Sequence, residues 1–197
     1  FLGTENTLLE MALHKEEMKL FFYHSCQWWA RVVENCIDLG VDVIHISDDW
    51  GQNKVLLFSP KDWWDMIYPN VKIIVDAARK RKVPVSLHSD GCIDDVIDGV
   101  LKLGINVLHP VQESAGMDQL KLKRKYGDKL TIYGGLDITE LLPKGTEEEI
   151  KKAVRSKMLN LKPNGGFIFC SSHTIQPDTT LERVNLAYQI AFKESWY

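Results

Sequence analysis

The 197-residue sequence is 45% hydrophobic and 26% charged, with a formal net charge of −3 at neutral pH. This balance predicts a globular unit with a sizeable core and gives no reason to expect nucleic acid or an anionic membrane as a partner. No apolar run reaches the roughly 18 residues that a membrane span requires, and the 4 cysteines form no CxxC pair, which favours a reducing, cytoplasmic compartment.

The first 40 or so residues are predicted to be helical. Residues 4–21 carry apolar side chains at helical spacing, as one helix or as two short helices that separate near His14. A further helix is predicted over 25–39, with Trp28 and Trp29 on its buried side. The sequence begins with neither an initiator methionine nor a signal peptide, so we expect it to be a piece of a longer protein.

Five short apolar runs, rich in β-branched residues, are predicted to be strands. They cover residues 41–47, 84–89, 105–112, 130–137 and 167–173. Helices are predicted between and after them, over 60–82 with a break near Pro69, over 92–103, over 117–126, from 146 onwards and over 181–192. Ser59 before Pro60 is typical of a helix start, and Thr146 with Glu149 fits a capping box.

The alternation of strands and helices predicts the fold class. Apolar strands joined by helical crossovers are typical of an α/β protein with a parallel sheet covered by helices. No GxGxxG or phosphate loop follows the first strand, which argues against a nucleotide-binding doubly wound fold. A TIM (β/α)8 barrel takes about 250 residues. We therefore predict that residues 1–197 form one domain that comprises the five or so C-terminal βα units of such a barrel.

Polar side chains stand at the C-terminal end of every predicted strand. In chain order they are Asp48 and Asp49, His88 and Asp90, Gln112, Asp137, and His173. Because the C-terminal ends of all barrel strands meet at one face, we expect these groups to surround one cavity. Any single one of them is more often a helix cap or a carboxylate that orders a loop, but their recurrence on five consecutive strands favours a site.

His88 and Asp90 are two residues apart, so both side chains leave the same face of an extended segment. With His173 they form a candidate set of two imidazoles and one carboxylate, and catalytic zinc sites often combine three protein ligands with one open position. The alternative is that His88 hydrogen-bonds a neighbouring carboxylate and binds no metal. The spacing leaves both possibilities open.

Four segments resemble the uroporphyrinogen decarboxylase superfamily, in matching order and spacing. They are Asp-Asp-Trp-Gly-Gln at 48–52, His-Ser-Asp-Gly at 88–91, Gly-Gly-Leu-Asp at 134–137 and Ser-His-Thr-Ile-Gln-Pro-Asp-Thr at 172–179. The superfamily also contains corrinoid-dependent methyltransferases that use methylcobalamin and thiols such as coenzyme M. Its members are TIM barrels of about twice this length, so the resemblance implies that the first barrel strands are missing here.

The methyltransferases of this superfamily carry a His-x-Cys pair after one strand and a further Cys near the end. These residues bind a zinc ion that activates a thiol. By resemblance, His88 matches the His, Asp90 stands in place of the first Cys, and His173 stands in place of the second. A His, Asp and His set still suits zinc, although both thiolates are lost.

The resemblance therefore implies, as the first interpretation, a corrinoid-linked methyltransferase whose methylcobalamin is supplied by a corrinoid partner protein. The implied site comprises metal ligands at His88, Asp90 and His173, catalytic residues at Asp48, Asp49, Asp137 and His173, and substrate-binding residues at Gln52, Gln112 and Gly135.

Decarboxylation of uroporphyrinogen III is the alternative that the resemblance offers. Decarboxylases bind no metal and hold the tetrapyrrole with an N-terminal Asp, a Tyr, a Ser and a His. The His corresponds to His173, the Ser position holds Asp48, the Tyr falls at about Phe1, and the N-terminal Asp lies in the missing part. An extra carboxylate at residue 48 is unfavourable beside a substrate that itself carries many carboxylates.

Binding of a corrinoid or a tetrapyrrole without catalysis is the second alternative. It follows from the missing strands, because an open sheet of five strands does not close a barrel. Such a sheet exposes unpaired edges, which predicts that the chain forms a homo-oligomer.

Overall fold

The structure is a computed structural model that describes residues 2–196. The tyrosine position that the resemblance puts at Phe1 lies outside them. The helices are α1 (Thr4–Leu13), α2 (Lys15–Asp38), α3 (Pro60–Asp62), α4 (Tyr68–Lys80), α5 (Ile97–Leu103), α6 (Gln119–Tyr126), α7 (Leu141–Lys144), α8 (Glu147–Leu161) and α9 (Leu181–Lys193). The strands are β1 (Ile44–Ser47), β2 (Gly51–Gln52), β3 (Val55–Leu56), β4 (Val85–His88), β5 (Val107–His109), β6 (Thr131–Tyr133) and β7 (Phe167–Ile168).

Five of the strands form one parallel sheet in the order β1-β4-β5-β6-β7, while β2 and β3 form a small antiparallel hairpin. Ser47 pairs with His88, and His88 pairs with His109, so these three residues lie side by side at one level of the sheet. Helices connect consecutive strands of the sheet, as parallel pairing requires. The predicted α/β class and the succession of five parallel strands are confirmed.

The main core lies between one face of the sheet and the helices. Leu87, Leu108 and Ile132 on adjacent strands are at most 1% exposed, and Val75 of α4 and Val100 of α5 are fully buried. Burial of an aliphatic side chain of this size stabilises the fold by about 1.5–3 kcal/mol. This continuous apolar layer fixes the strands and therefore the polar residues that follow them.

The other face of the sheet is open. Val43 and Ile168 on this face are 48% and 45% exposed. The face lines a depression of about 520 Å³, formed by Val43, His45, Ser47, Ser86, His88, Val107, His109, Tyr133 and Ile168. In a closed barrel such inward-pointing side chains pack against those of the remaining strands. The five strands thus present the inside of a barrel section.

The N-terminal helices differ in part from the prediction. The separation near His14 is confirmed, because α1 ends at the preceding residue. The predicted gap between residues 21 and 25 is wrong, since α2 continues without interruption over 24 residues. No proline or glycine falls between residues 15 and 38, so nothing in that stretch stops the helix.

The prediction that Trp28 and Trp29 lie on the buried side of their helix is also wrong. They are 60% and 50% exposed, and their rings contact each other edge to face. The buried residues of this part of α2 are Ala30 and Val33 instead, and α4 is the helix that packs most extensively against α2. An apolar residue type does not by itself determine which side of a helix is covered.

The predicted break near Pro69 lies upstream of that residue. A wide π-helical turn, Trp63–Ile67, separates α3 from α4, and Pro69 occupies the first turn of α4. Proline is tolerated there because the first N–H groups of a helix have no partner within it. The predicted start is confirmed, since the Ser59 side chain accepts a hydrogen bond from the Asp62 amide.

Several other boundaries differ by a few residues. The predicted helix over 92–103 begins as a 3₁₀ turn, Asp94–Val96, and the predicted strand over 167–173 pairs regularly only at Phe167–Ile168. Pairing resumes as a single bridge between Leu136 and Ser171, beyond Gly134 and Gly135, which both adopt positive φ.

The hairpin β2–β3 and helix α7 were not predicted. The capping box at Thr146 is confirmed. Within residues 2–196, no helix has the length and apolarity needed to cross a membrane.

Candidate active site

His88, Asp90 and His173 lie together at the C-terminal edge of the sheet. One potential ligand atom from each of them falls within 4.8 Å of the others. Asp90 Oδ2 lies 3.7 Å from His88 Nε2 and 3.4 Å from His173 Nε2. The side chains of His88 and Asp90 are 15% and 28% exposed, whereas that of His173 is 46% exposed. The cluster is therefore anchored in the protein on one side and open to solvent on the other.

The loop that carries Asp90 is held by two of the predicted site residues. Asp49 Oδ1 accepts a hydrogen bond from the Asp90 amide at 2.9 Å, and Gln112 Oε1 accepts one from the Gly91 amide at 2.8 Å. The same Asp49 oxygen lies 3.6 Å from His88 Nε2. Asp49 and Gln112 thus position the turn, and Asp49 also faces the ring of His88.

One oxygen of Asp90 lacks a hydrogen-bond partner. Asp90 Oδ1 is buried, and no hydrogen bond reaches it from the residues that the structure describes. A buried carboxylate oxygen without a partner is costly, by about 1–3 kcal/mol for a neutral group and more for a charged one. The other oxygen, Oδ2, faces the imidazoles of His88 and His173, and a metal ion held there by Oδ2 and the two rings would neutralise the carboxylate, so the residues present suit zinc.

His109 on the neighbouring strand contacts the ring of His88. The two Nδ1 atoms are 2.7 Å apart, so one ring donates and the other accepts. Burial, to which the nearby charges of His88 and His45 add, lowers the pKa of His109 to about 4, although the hydrogen bond to the Ser171 backbone opposes this shift. A neutral His109 that donates to the Ser171 carbonyl through Nε2 accepts from His88 through Nδ1. This arrangement leaves the Nε2 lone pair of His88 directed at the carboxylates of Asp49 and Asp90.

Sequence reasoning missed His45 and His109 as members of this site. His45 Nδ1 lies 3.1 Å from Ser86 Oγ, its ring centroid is 6.3 Å from that of His88, and burial lowers its pKa. Tyr133 on β6 packs against His109 with centroids 4.7 Å apart. A signal was present, because Leu39–His45 and Leu103–His109 are near-repeats that each end in histidine.

Asp48 lies apart from the histidine cluster. Its Oδ2 accepts a hydrogen bond from the Trp50 indole at 2.7 Å, and the residue lines a separate cavity at the C-terminal end of β1. The pKa of Asp48 is raised, mainly because protein atoms surround the carboxylate closely and desolvate it. The residue nevertheless keeps some exposed surface toward the cavity. The Trp50 hydrogen bond opposes this rise and the neighbouring Asp49 adds to it.

The structure places Asp137, Gly135 and Gln52 in supporting positions. Asp137 Oδ1 accepts hydrogen bonds from the amide and hydroxyl of Thr139, both at 2.7 Å. Partial burial acts to raise the pKa of Asp137, but these hydrogen bonds outweigh it and the pKa is lowered. Gly135 has φ +88°, and a Cβ there would overlap the buried Gln119 amide. Gln52 is exposed, and its carbonyl accepts from the Cys92 amide.

Comparisons with known proteins agree on the family. A family model described as "Uroporphyrinogen decarboxylase (URO-D)" matches residues 2–192. A curated relative called uroporphyrinogen decarboxylase, from Helicobacter pylori strain P12, is 29% identical over 198 residues, which cover 96% of this chain and 49% of the relative. Another of that name, from Rickettsia felis, is 27% identical over 150 residues, which cover 74% of this chain and 39% of the relative.

A solved structure resembles this one across most of the chain. It is described as a methyltransferase from Methanosarcina mazei, and it matches with a TM-score of 0.66 at 18% sequence identity. The match covers 85% of this chain and 47% of the other. The likeness confirms the predicted fold, a section of a barrel of this type. The chain spans about half the length of the proteins it matches, or less.

Proposed function

Since the chain belongs to the uroporphyrinogen decarboxylase family, we propose that it is part of a corrinoid-linked methyltransferase that holds zinc at His88, Asp90 and His173. One observation carries the proposal. One potential ligand atom from each of these residues lies within 4.8 Å of the others, and Asp90 Oδ2 is 3.7 Å from His88 Nε2 and 3.4 Å from His173 Nε2.

The protein groups around the cluster prepare it for a cation. The contact with His109 leaves the Nε2 lone pair of His88 facing two carboxylates, which repel a lone pair unless a cation lies between them. The backbone around Asp90 is fixed by Asp49 and Gln112, so the carboxylate needs little rearrangement to act as a ligand. When bound, zinc would supply a Lewis acid that lowers the pKa of a coordinated thiol or water.

The open side of the cluster suits a second, large reactant. His173 is the most exposed of the three ligands, and the adjacent inner face of the sheet is open as well. A corrinoid carried by a partner protein is the reactant that we propose for this side, as the source or acceptor of the methyl group. The cysteines of the described chain are free thiols, in keeping with the reducing, cytoplasmic compartment that we propose for it.

Zinc binding tests the proposal directly. The purified chain is expected to bind one zinc ion, and His88→Ala should weaken binding by more than about 100-fold, since even residues beyond the ligands contribute 10–100-fold. His24→Ala is the matched control because His24 is exposed on α2, away from the cluster. Zinc content and competition with a chromophoric chelator provide the measurement. An intact chain that binds no zinc, or a His88→Ala variant that binds it equally well, would contradict the proposal.

Decarboxylation of uroporphyrinogen III is the second candidate, because both curated relatives bear that name. The two reactions are separated by assaying the protein that contains this chain with methylcobalamin plus a thiol and, in parallel, with uroporphyrinogen III. We expect His88→Ala to abolish demethylation of methylcobalamin. Turnover of uroporphyrinogen III that survives removal of zinc would favour the decarboxylase instead. Zinc binding without either turnover would support the binding role without catalysis.

A further inference from the structure

A cavity of about 610 Å³ lies at the C-terminal end of β1, beside the metal cluster. Its walls come from α1, α2, α4, the π-helical turn and the segments that flank the β2–β3 hairpin. Its lining includes Phe22, Cys26, Asp48, Asp49, Trp50 and Phe58. This volume is in the range of small-molecule sites, which extends over about 300–1,000 Å³.

The charge in this cavity is entirely negative. Asp48 and Asp49 line it, and none of the described residues in its wall is lysine, arginine or histidine. The Cys26 thiol stays protonated because burial raises its pKa to about 11, with the Asp48 charge adding to the rise. The hydrogen bond from Trp50 satisfies part of the Asp48 carboxylate but does not neutralise it. The protein thus leaves a carboxylate without a cation in a partly desolvated space.

Aromatic rings stand in the same wall. Phe22 of α2 and Phe58 after β3 line the cavity beside the almost fully buried Trp50, and the remaining wall combines apolar and polar side chains. The faces of aromatic rings attract organic cations, and the attraction is stronger when the cation is desolvated. The carboxylates and the aromatic rings together fit an alkylated ammonium group better than an anion.

We propose that this cavity binds a small organic cation, an alkylated ammonium compound, with its positive end at Asp48. Asp49 belongs both to this cavity and to the metal cluster, where its Oδ1 lies 3.6 Å from His88 Nε2. A cation bound here therefore lies next to the proposed zinc site. This step rests on the proposed function, because it identifies the bound cation as the small-molecule substrate of the proposed methyltransferase. Binding itself depends on the cavity and not on zinc.

The test is calorimetric titration of the intact chain with two ligands of the same shape. Choline carries the positive charge, and 3,3-dimethylbutan-1-ol is its neutral counterpart. We expect choline to bind at least tenfold more tightly than the alcohol, both in zinc-free and in zinc-loaded protein. Asp48→Asn should weaken choline binding at least tenfold and leave binding of the alcohol unchanged. Asp42→Asn, which removes the same charge from an exposed position before β1, should bind choline like the wild type.

Asp48→Asn is a conservative variant, because its amide oxygen still accepts the hydrogen bond from the Trp50 indole. Near-ultraviolet circular dichroism reports whether the tryptophans keep their environment in this variant. Equal affinity for choline and the alcohol, absence of choline binding by the wild type, or unchanged choline binding by a folded Asp48→Asn variant would each overturn the inference. If the protein binds choline but no zinc, the proposed function is wrong and the cation site is still supported.

Discussion

At the scale of single residues, the site depends on where each polar atom points. Asp90 directs one oxygen at two imidazoles and leaves the other buried without a partner among the described residues. Asp48, one of the other predicted acids, faces a different cavity and a tryptophan. Asp137 uses its oxygens to order the following turn. Carboxylates that look alike in sequence therefore have three different surroundings.

His109 is expected to act as a positioning residue for His88. Replacing it by Phe keeps an aromatic ring but removes the Nδ1 acceptor, so His88 no longer has its tautomer fixed. Zinc affinity should fall by about 10–100-fold, as is usual when a group behind a metal ligand is lost. Chelator competition measures the change. Tyr133→Phe is the control, because Tyr133 touches the ring of His109 and loses only its hydroxyl. Equal affinity in His109→Phe and wild type would exclude the positioning role.

At the scale of elements, the loops after β1 and β4 fit against each other without room for side chains. A Cβ on Gly51 would lie 2.6 Å from the Asp90 carbonyl oxygen, and one on Gly91 would lie 2.4 Å from the backbone of Gly51. Gly91 also has φ +76°, where a side chain is strained. The Trp-Gly and Asp-Gly pairs are therefore needed for the two loops to approach each other, and this approach sets the position of Asp90.

Gly51→Ala is expected to displace the Asp90 loop. The clash is with backbone, which cannot move aside like a side chain, so the variant should lose about 1–3 kcal/mol of stability and also weaken zinc binding. Gly116→Ala is the comparison, because its Cβ would meet only the Lys54 side chain at 3.9 Å. Gly116→Ala should lose some stability, because residue 116 has a positive φ, but it should bind zinc like the wild type. Urea denaturation and zinc titration distinguish the two. Wild-type zinc affinity in Gly51→Ala would show that the loop tolerates the clash.

At the scale of the whole molecule, no other part of residues 2–196 covers the inner face of the five-stranded sheet or pairs with its two edges. β1 and β7 are its end strands, and the depression on the inner face measures about 520 Å³. A parallel sheet is normally covered on both faces. Exposed apolar surface next to free strand edges favours association with further polypeptide. The interface that we infer is this inner face together with the edges.

The chain on its own is therefore expected to self-associate. Light scattering after size-exclusion chromatography should give a mass above that of one chain at micromolar concentration. Ile168→Lys, which puts a charge on the inner face at the β7 edge, should shift the distribution towards the monomer. Leu159→Lys, at a 74% exposed position of α8, should leave it unchanged. A monodisperse, stable wild-type monomer would contradict the prediction.

The sequence by itself determined the architecture, and the C-terminal ends of β1 and β4 to within one residue. Apolar runs such as 84–89 must be buried, polar residues such as His88 follow them directly, and parallel strands bring those residues to one edge. Helix starts at Ser59 and Thr146 were also predictable, because capping depends on residues only three positions apart. Such features depend on the spacing of residues close together in the chain and on the need to bury apolar residues. Both can be read from a sequence.

Only the tertiary structure decided which polar groups meet. The 2.7 Å contact between His88 and His109 depends on strand register, and the separation of Asp48 from the cluster depends on the direction in which each side chain leaves its loop. The exposure of Trp28 depends on which side of α2 packs against its neighbours. These outcomes arise from contacts between residues far apart in the chain, whose geometry is fixed only when sheet and helices pack together. A local sequence pattern does not determine that geometry.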